Sequence, residues 1–311
     1  MSLEKNHSNL LTGKRDARIR RANCRAIYAE MAFHAGTWEA LEIARRCDVG
    51  LPAGTRLPDR FMRRLGADKV PTFNVKLVDQ GFAGAQVFHW AHHPLFYLLD
   101  RDVVNSKREL AIFYALDSLA GIIRLSFWPA EVTGDAPWTA SVAPILDTAK
   151  LHAVFNERWL DSLAPLDQLV ACVAMGLKAQ MLGDDELFFQ AAARSQEMFV
   201  RSLSTSPHLL AGWQFLAELM RELVWSPANK HVTGSIPIGG VIDSVQAILE
   251  RDIALQARYP WIWQRLLNDA APPAYRLRKS KEVPMPPADK EQLKCNTIRR
   301  SRQNQGSVQV R

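Results

Sequence analysis

The stretch whose reading decides the fold is DQLVACVAMGLKAQMLGDDELFFQAAARSQEMFVRSL, residues 167–203. Apolar residues on both sides of its centre follow the helical period of three to four rather than the alternation of a strand. Gly183, Asp184 and Asp185 interrupt the pattern with residues that end one helix and start another. The spacing therefore predicts a helical hairpin, 167–182 and 186–203, joined by a tight turn.

Outward from the hairpin the same period recurs, and it predicts a mainly α protein of about eight helices in antiparallel hairpins. Toward the N-terminus, helices are expected over 14–34, ending at Gly36, and from Thr37 as cap through 47. Residues 49–71, rich in Gly and Pro, read as loop with one short helix over 59–65. TFNVKLVD at 72–79 alternates, and Gln80-Gly81 supplies turn residues, so a small β-hairpin is expected over 72–88. A short helix follows over 94–101, then a long one capped by Asn105 or Ser106 and ending before Pro129, a loop over 128–144, and a helix over 146–163. Beyond the hairpin, Pro207 opens a helix to 224. A loop over 227–240 precedes helices over 241–257 and 260–267.

Composition sets outer bounds. The 311 residues are 48% apolar and include nine Trp and thirteen Phe, more aromatic bulk than a disordered chain carries, so the body folds. Residues 1–10 lack the basic-then-apolar pattern of a secretory signal. The best apolar run, 110–128, is broken by Asp117 and Arg124, so no membrane span and a cytoplasmic setting are expected. Cys24, Cys47, Cys172 and Cys295 show no paired spacing and read as buried free thiols.

The net charge of +7 is unevenly spread. Residues 1–76 carry 15 Lys/Arg against 8 Asp/Glu, 77–275 carry 14 against 21, and 276–311 carry 10 against 3. Three domains are expected on this basis: a basic helical segment over 1–71, an acidic helical body over 72–271, and a basic tail over 272–311. Pro284, Pro286 and Pro287 interrupt any helix in the tail, and little in it is apolar, so it reads as disordered.

Basic side chains supply the first candidate site. Lys14, Arg18, Arg21 and Arg25 fall within about 60° on a helical wheel, opposite Ile19, Ala26 and Ile27, and form a stripe that can rest on a phosphate backbone. Arg56, Arg60, Arg63 and Arg64 make the following loop region positive, and Arg299, Arg300 and Arg302 do the same for the tail. Such cations bind polyanions by releasing counterions, with an affinity that falls steeply with salt.

The remaining candidates read more simply. His89, His92 and His93 lie in FHWAHHPLF, where imidazoles three or four apart on a helix can reach one metal ion, with Asp100 and Asp102 the nearest acidic groups. No carboxylate sits at a diagnostic offset, so the sequence reads as an aromatic junction and no metal or cofactor is assigned. Asp184, Asp185 and Glu186 could hold a divalent cation but suit the positive end of a helix equally. Residues 234–240 lack the Lys-Ser/Thr end of a phosphate loop and read as a linker. No GxSxG, HExxH or kinase signature is present, which argues against an enzyme without excluding one.

Three local resemblances follow from these residues. Gly176, the Gly183-Asp184 turn and Pro207 make the hairpin similar to one tetratricopeptide-type unit, which implies antiparallel helix packing. Ala179 stands where that family has Tyr, the second helix is longer than its own, and no neighbour repeats at a fixed period. Ala44 followed by Asp48-Val49-Gly50-Leu51 resembles the first helix and turn of helix-turn-helix proteins, which implies groove reading. Pro52, Gly54 and Pro58 stand where the recognition helix would run. Arg201 and His208 resemble the Arg–His pair of small helical ribonucleases, with Pro207 taking them off a single face.

Together these features lead to the expectation of a non-enzymatic accessory or regulatory protein that binds nucleic acid through phosphates, with low sequence selectivity. Two alternatives stand beside it. One is a helical scaffold for a partner with an acidic surface or for a second copy of the chain; the other is an unrecognised metal-dependent enzyme using the histidine region.

Overall fold

The computed structural model describes residues 15–67, 69, 75–100, 105–119, 155, 159–229, 243 and 247. The chain divides into two units, Met1–Leu266 and Leu267–Arg311, and every described residue lies in the first. Among the described residues the structure is mainly helical and contains no strand. The elements are α1 (Ala17–Ala35), α2 (Ala40–Gly50), α3 (Asp59–Gly66), α4 (Val75–Gly81), α5 (Val87–Ala91), α6 (Pro94–Leu98), α7 (Asn105–Ser118), α8 (Trp159–Ser162), α9 (Pro165–Leu182), α10 (Asp185–Thr205), α11 (Pro207–Leu210) and α12 (Trp213–Met220). One turn of π-helix, Arg221–Trp225, then leads into α13 (Ser226–Ala228).

The predicted hairpin is present as α9 and α10. Gly183 ends α9 at φ 74°, where the missing Cβ removes the penalty of a left-handed residue. Its N–H donates to the Gln180 carbonyl at 3.3 Å and that of Asp184 to the Ala179 carbonyl at 2.9 Å, so the last turn of α9 keeps its hydrogen bonds. Asp184 then starts α10, its Oδ1 accepting from Leu187 N at 3.0 Å. The acidic trio is thereby explained as a helix start. Gly176 lets the two helices close: a Cβ there would lie 3.3 Å from the Ala191 Cβ. Residues Gln168 to Leu177 are buried all round α9, so this helix forms the centre of the body and packs on α10, α7 and α6. Phe188 and Phe199 of α10 are fully buried, worth about 1.5–3 kcal/mol each by area. Trp225 meets Phe199 edge to face at 5.7 Å and donates through Nε1 to Ser195 Oγ at 3.1 Å.

The second core element is α1. Asp16 caps it by accepting from Arg18 N at 2.7 Å, and Gly36 at φ 62° closes it. It packs against α2, α3, α5, α6, α11 and α12. Glycines set close approaches here: a Cβ on Gly212 would lie 2.8 Å from Ala22 Cα of α1, and, between α2 and α4, one on Gly50 would lie 2.0 Å from the Gly81 carbonyl oxygen.

Two expectations need correcting. Where a β-hairpin was expected over 72–88, residues from 75 onward form α4 and α5. Val75, Val78 and Phe82 are buried at helical spacing while Leu77 is only half-buried, so the core selects one helical face over the alternation. Asp79 joins the two helices by accepting from Val87 N at 2.7 Å and Phe88 N at 3.0 Å. The single helix expected from Pro207 to 224 is instead broken after Leu210, because Gly212 brings the backbone against α1. Elsewhere boundaries move by a few residues: α2 runs on to Gly50, α6 stops at Leu98, and α9 begins at Pro165, a residue suited to the first turn. Lys14, Asp102, Cys295, the 128–144 and 234–240 loops, the 241–257 helix apart from residues 243 and 247, the 260–267 helix, the tail and its Arg299, Arg300 and Arg302 lie outside the described residues.

Candidate functional site

The two basic regions have different surroundings. On α1, Arg18 is held by three carboxylates: Asp16 Oδ2 at 3.0 Å, Glu222 at 2.6 and 2.9 Å through two guanidinium nitrogens, and Glu218 at 4.0 Å. Its charge is spent on α12 and the π turn, in the two-pronged geometry that a guanidinium makes best. Arg25 donates to the Ala211 carbonyl at 3.3 Å and lies 5.0 Å above the Phe215 ring; Arg21 lies 5.7 Å from the same ring. Arg18 and Arg25 of the expected stripe thus contact α12 and the turns that flank it, while Arg21 is exposed and Lys14 lies outside the described residues.

Arg56, Arg60 and Arg63 are exposed and Arg64 is half-buried. At 100° per residue, Arg63, Arg60 and Arg64 span an arc of about 100° on α3, while Phe61 and Leu65 are buried on its other side. Among the described residues no carboxylate lies within ion-pair distance of any of the four, and the buried Arg64 Nε has no hydrogen-bond acceptor. Arg45 on α2 and Lys69 after α3 are also exposed.

The helix-turn-helix resemblance is not continued in space. After α2 the chain runs from Leu51 to Pro58 before α3 begins, longer than the three- or four-residue turn of that motif. Asp48 is occupied within this connection, accepting from Leu57 N at 2.6 Å, and Gly50 serves the contact with α4.

The three histidines do not share one point: the His89 and His93 rings meet edge to face at 5.1 Å, but His92 has other partners. His92 Nδ1 lies 3.1 Å from the Tyr97 hydroxyl and its ring 4.5 Å from Phe88, whereas His89 is exposed. His93 is buried, with its ring stacked at 5.2 Å on Trp90 and its Nδ1 accepting from Leu95 N at 3.4 Å. Burial, then the neighbouring His89 and His208, push its pKa down to about 3, so it is a neutral core side chain at ordinary pH. Among the described residues no group of three His, Cys, Asp or Glu is arranged to hold a metal ion.

Sequence reasoning missed a buried polar centre beside them. Glu30 of α1, 4% exposed, accepts from Gln86 N at 2.6 Å, and its two oxygens lie 3.3 Å from His34 Nε2 and 2.5 Å from His208 Nε2. The His208 contact falls outside hydrogen-bond geometry. The His208 ring also stacks on Trp90 at 4.4 Å. Burial raises the Glu30 pKa, but His208 and the Gln86 amide outweigh it and hold the group below its usual 4.5. His34, four residues after Glu30, was the only local signal for this centre. Arg201 is turned away from it, paired with Glu197 at 2.6 Å on the surface, so the ribonuclease-like pair is not brought together.

Cys24, Cys47 and Cys172 are buried free thiols, and burial pushes Cys47 up to about 11 and Cys172 to about 12, outside the range of reactive thiolates. No described helix is long and apolar enough to cross a membrane. No family model, curated protein or solved structure matches the chain.

Proposed function

We propose that this chain is a helical accessory protein that binds nucleic acid through its phosphates, with α3 as the contact surface. The observation that carries this reading is the cationic face of Arg60, Arg63 and Arg64, joined by Arg56, with no carboxylate at ion-pair distance among the described residues. Guanidinium groups gathered on one helix face suit a repeating row of phosphates, and the α2–α3 connection is too long for a groove-reading turn, which supports low selectivity among sequences. Arg18, Arg21 and Arg25 lie outside this contact surface, and the tail residues Arg299, Arg300 and Arg302 form a second arm.

Fluorescence anisotropy with labelled duplex DNA and single-stranded RNA, at two salt concentrations, tests the reading. Binding should weaken as salt rises, and Arg60→Gln/Arg63→Gln should reduce the slope of log affinity against log salt by about 1 for each phosphate that is no longer neutralised. Binding with no salt slope, or a slope unchanged in the double variant, rejects it.

A scaffold reading is favoured by a separate observation. Leu41 and Val49, on one side of α2, are 65% and 86% exposed, an apolar pair that a partner could cover. Cross-linking that recovers one stoichiometric protein partner regardless of nuclease treatment would support this reading over the first.

A further inference from the structure

The α11 helix has only 4 residues, too few backbone hydrogen bonds to hold itself, so its place is set by what it touches. Leu209 and Leu210 are buried, and the Ser206 hydroxyl before the helix is buried without a hydrogen-bond partner. Arg25 of α1 donates to the Ala211 carbonyl just beyond it. The other polar tie to α1 is His208, whose Nε2 lies 2.5 Å from Oε2 of the buried Glu30 while its ring stacks on Trp90 at 4.4 Å. Oε1 of Glu30 accepts from Gln86 N at 2.6 Å and lies 3.3 Å from His34 Nε2. Two imidazoles from different helices thus flank one carboxylate.

The surrounding charges are few. Asp79 of α4 and His89 of α5 lie in the field of Glu30, with Asp167 of α9 in turn near His89, and His93 before α6 lies in the field of His208. Asp79 is occupied by the Val87 and Phe88 amides, and buried His93 is neutral. Arg46 of α2 is turned to Glu42 and the Ala35 carbonyl, and Glu218 of α12 faces Arg18. Among the described residues no arginine of α3 and no side chain of α6 is at ion-pair distance from Glu30, His34 or His208.

A carboxylate attracts an imidazolium only while both carry charge. Imidazoles lose their proton around pH 6.5, so toward alkaline pH the buried carboxylate faces neutral rings. On the acid side, His208 and the Gln86 amide hold the Glu30 carboxyl below its usual 4.5, and its attraction is lost as pH falls through that lower value. Two imidazolium groups then stand beside a neutral carboxyl. We propose that Glu30, His34 and His208 form a pH-sensitive latch that holds α11 against α1 most firmly in mild acid and loosens it on either side. The three groups titrate as one centre. The latch uses no residue of α3 and is independent of nucleic-acid binding.

Hydrogen exchange of the full chain tests it at the Leu210 and Gly212 amides, which donate to the Ser206 and Leu209 carbonyls at 3.1 and 3.0 Å. After correction for the intrinsic pH dependence of exchange, and relative to amides of the α9–α10 hairpin, protection should be about fivefold higher at about pH 5.5 than at about pH 8 or about pH 3.5. Glu30→Gln should flatten the profile. His208→Gln should remove the alkaline-side fall, and His34→Gln should keep it, since His34 belongs to α1 itself. Circular dichroism establishes which variants fold, and if Glu30→Gln does not, His208→Gln still decides the matter. Relative protection that is independent of pH in wild type, that rises steadily toward alkaline pH, or that falls on the alkaline side equally in folded His208→Gln would overturn the latch.

Discussion

The α1 and α3 helices look alike as charge patterns and are opposite as surfaces. Each sets arginines along one face with apolar residues on the other, but α1 is surrounded by other helices and α3 is packed on one side only. On α1 three charges are answered within the fold: Arg18 by Glu218 and Glu222, Arg25 by a carbonyl and a ring, and Glu30 by an amide and two imidazoles. Around α3 they are not answered by any described carboxylate. A cationic stripe is thus evidence of a polyanion partner only after the fold has had the chance to supply its own anions.

Substitutions on α1 should consequently move stability, and those on α3 should move binding. The largest effect is expected at Glu30. Glu30→Gln removes the charge that His34 and His208 face and should cost about 3 kcal/mol in urea unfolding at neutral pH. Because the folded state holds the Glu30 carboxyl below its ordinary 4.5, its contribution is present above pH 4.5 and is lost as pH falls through the lower folded value. The unfolding midpoint of wild type should therefore drop in acid more steeply than that of Glu30→Gln; parallel curves would mean that the centre is not answered in the way described.

Gly212→Ala comes next, since the added methyl meets the backbone of Ala22 and presses α12 away from α1. A loss of about 1–3 kcal/mol is expected in the same measurement. Arg18→Ala should cost about 1 kcal/mol, the ion pair being bidentate but partly open to water. It should leave DNA affinity unchanged; a marked loss of affinity with stability intact would return the α1 stripe to the contact surface. The smallest stability effect, within about 0.5 kcal/mol, belongs to Arg60→Gln/Arg63→Gln, whose effect should fall on the salt-dependent titration.

Local signals carried much of the architecture. The hairpin of α9 and α10, the stops at Gly36 and Gly183 and the short α3 were legible because each depends on residues within a turn or two. Residues 75–91 were not legible as two helices. TFNVKLVD supports alternation locally, and what favours the helix is burial of Val75 and Val78 together with capping of the next segment by Asp79. The break after Leu210 was hidden for a similar reason: Gly212 is placed by Ala22, far away in sequence.

The candidate sites divide along the same line. The Arg56–Arg64 and His89–His93 regions stand out in the sequence as concentrations of chemistry-bearing side chains. Glu30 with His34 and His208 does not, because His208 comes from a helix distant in the chain.

Sequence by itself determined that this protein is helical, where its central hairpin turns, and where positive charge accumulates, since periodicity, caps and composition act over short stretches. Tertiary structure alone decided which arginines are covered and which carboxylate lies between two histidines. Those outcomes depend on which helix faces meet. Helix faces meet through the burial of apolar area and through glycine-sized approaches such as Gly50–Gly81 and Gly212–Ala22, which no window of neighbouring residues encodes.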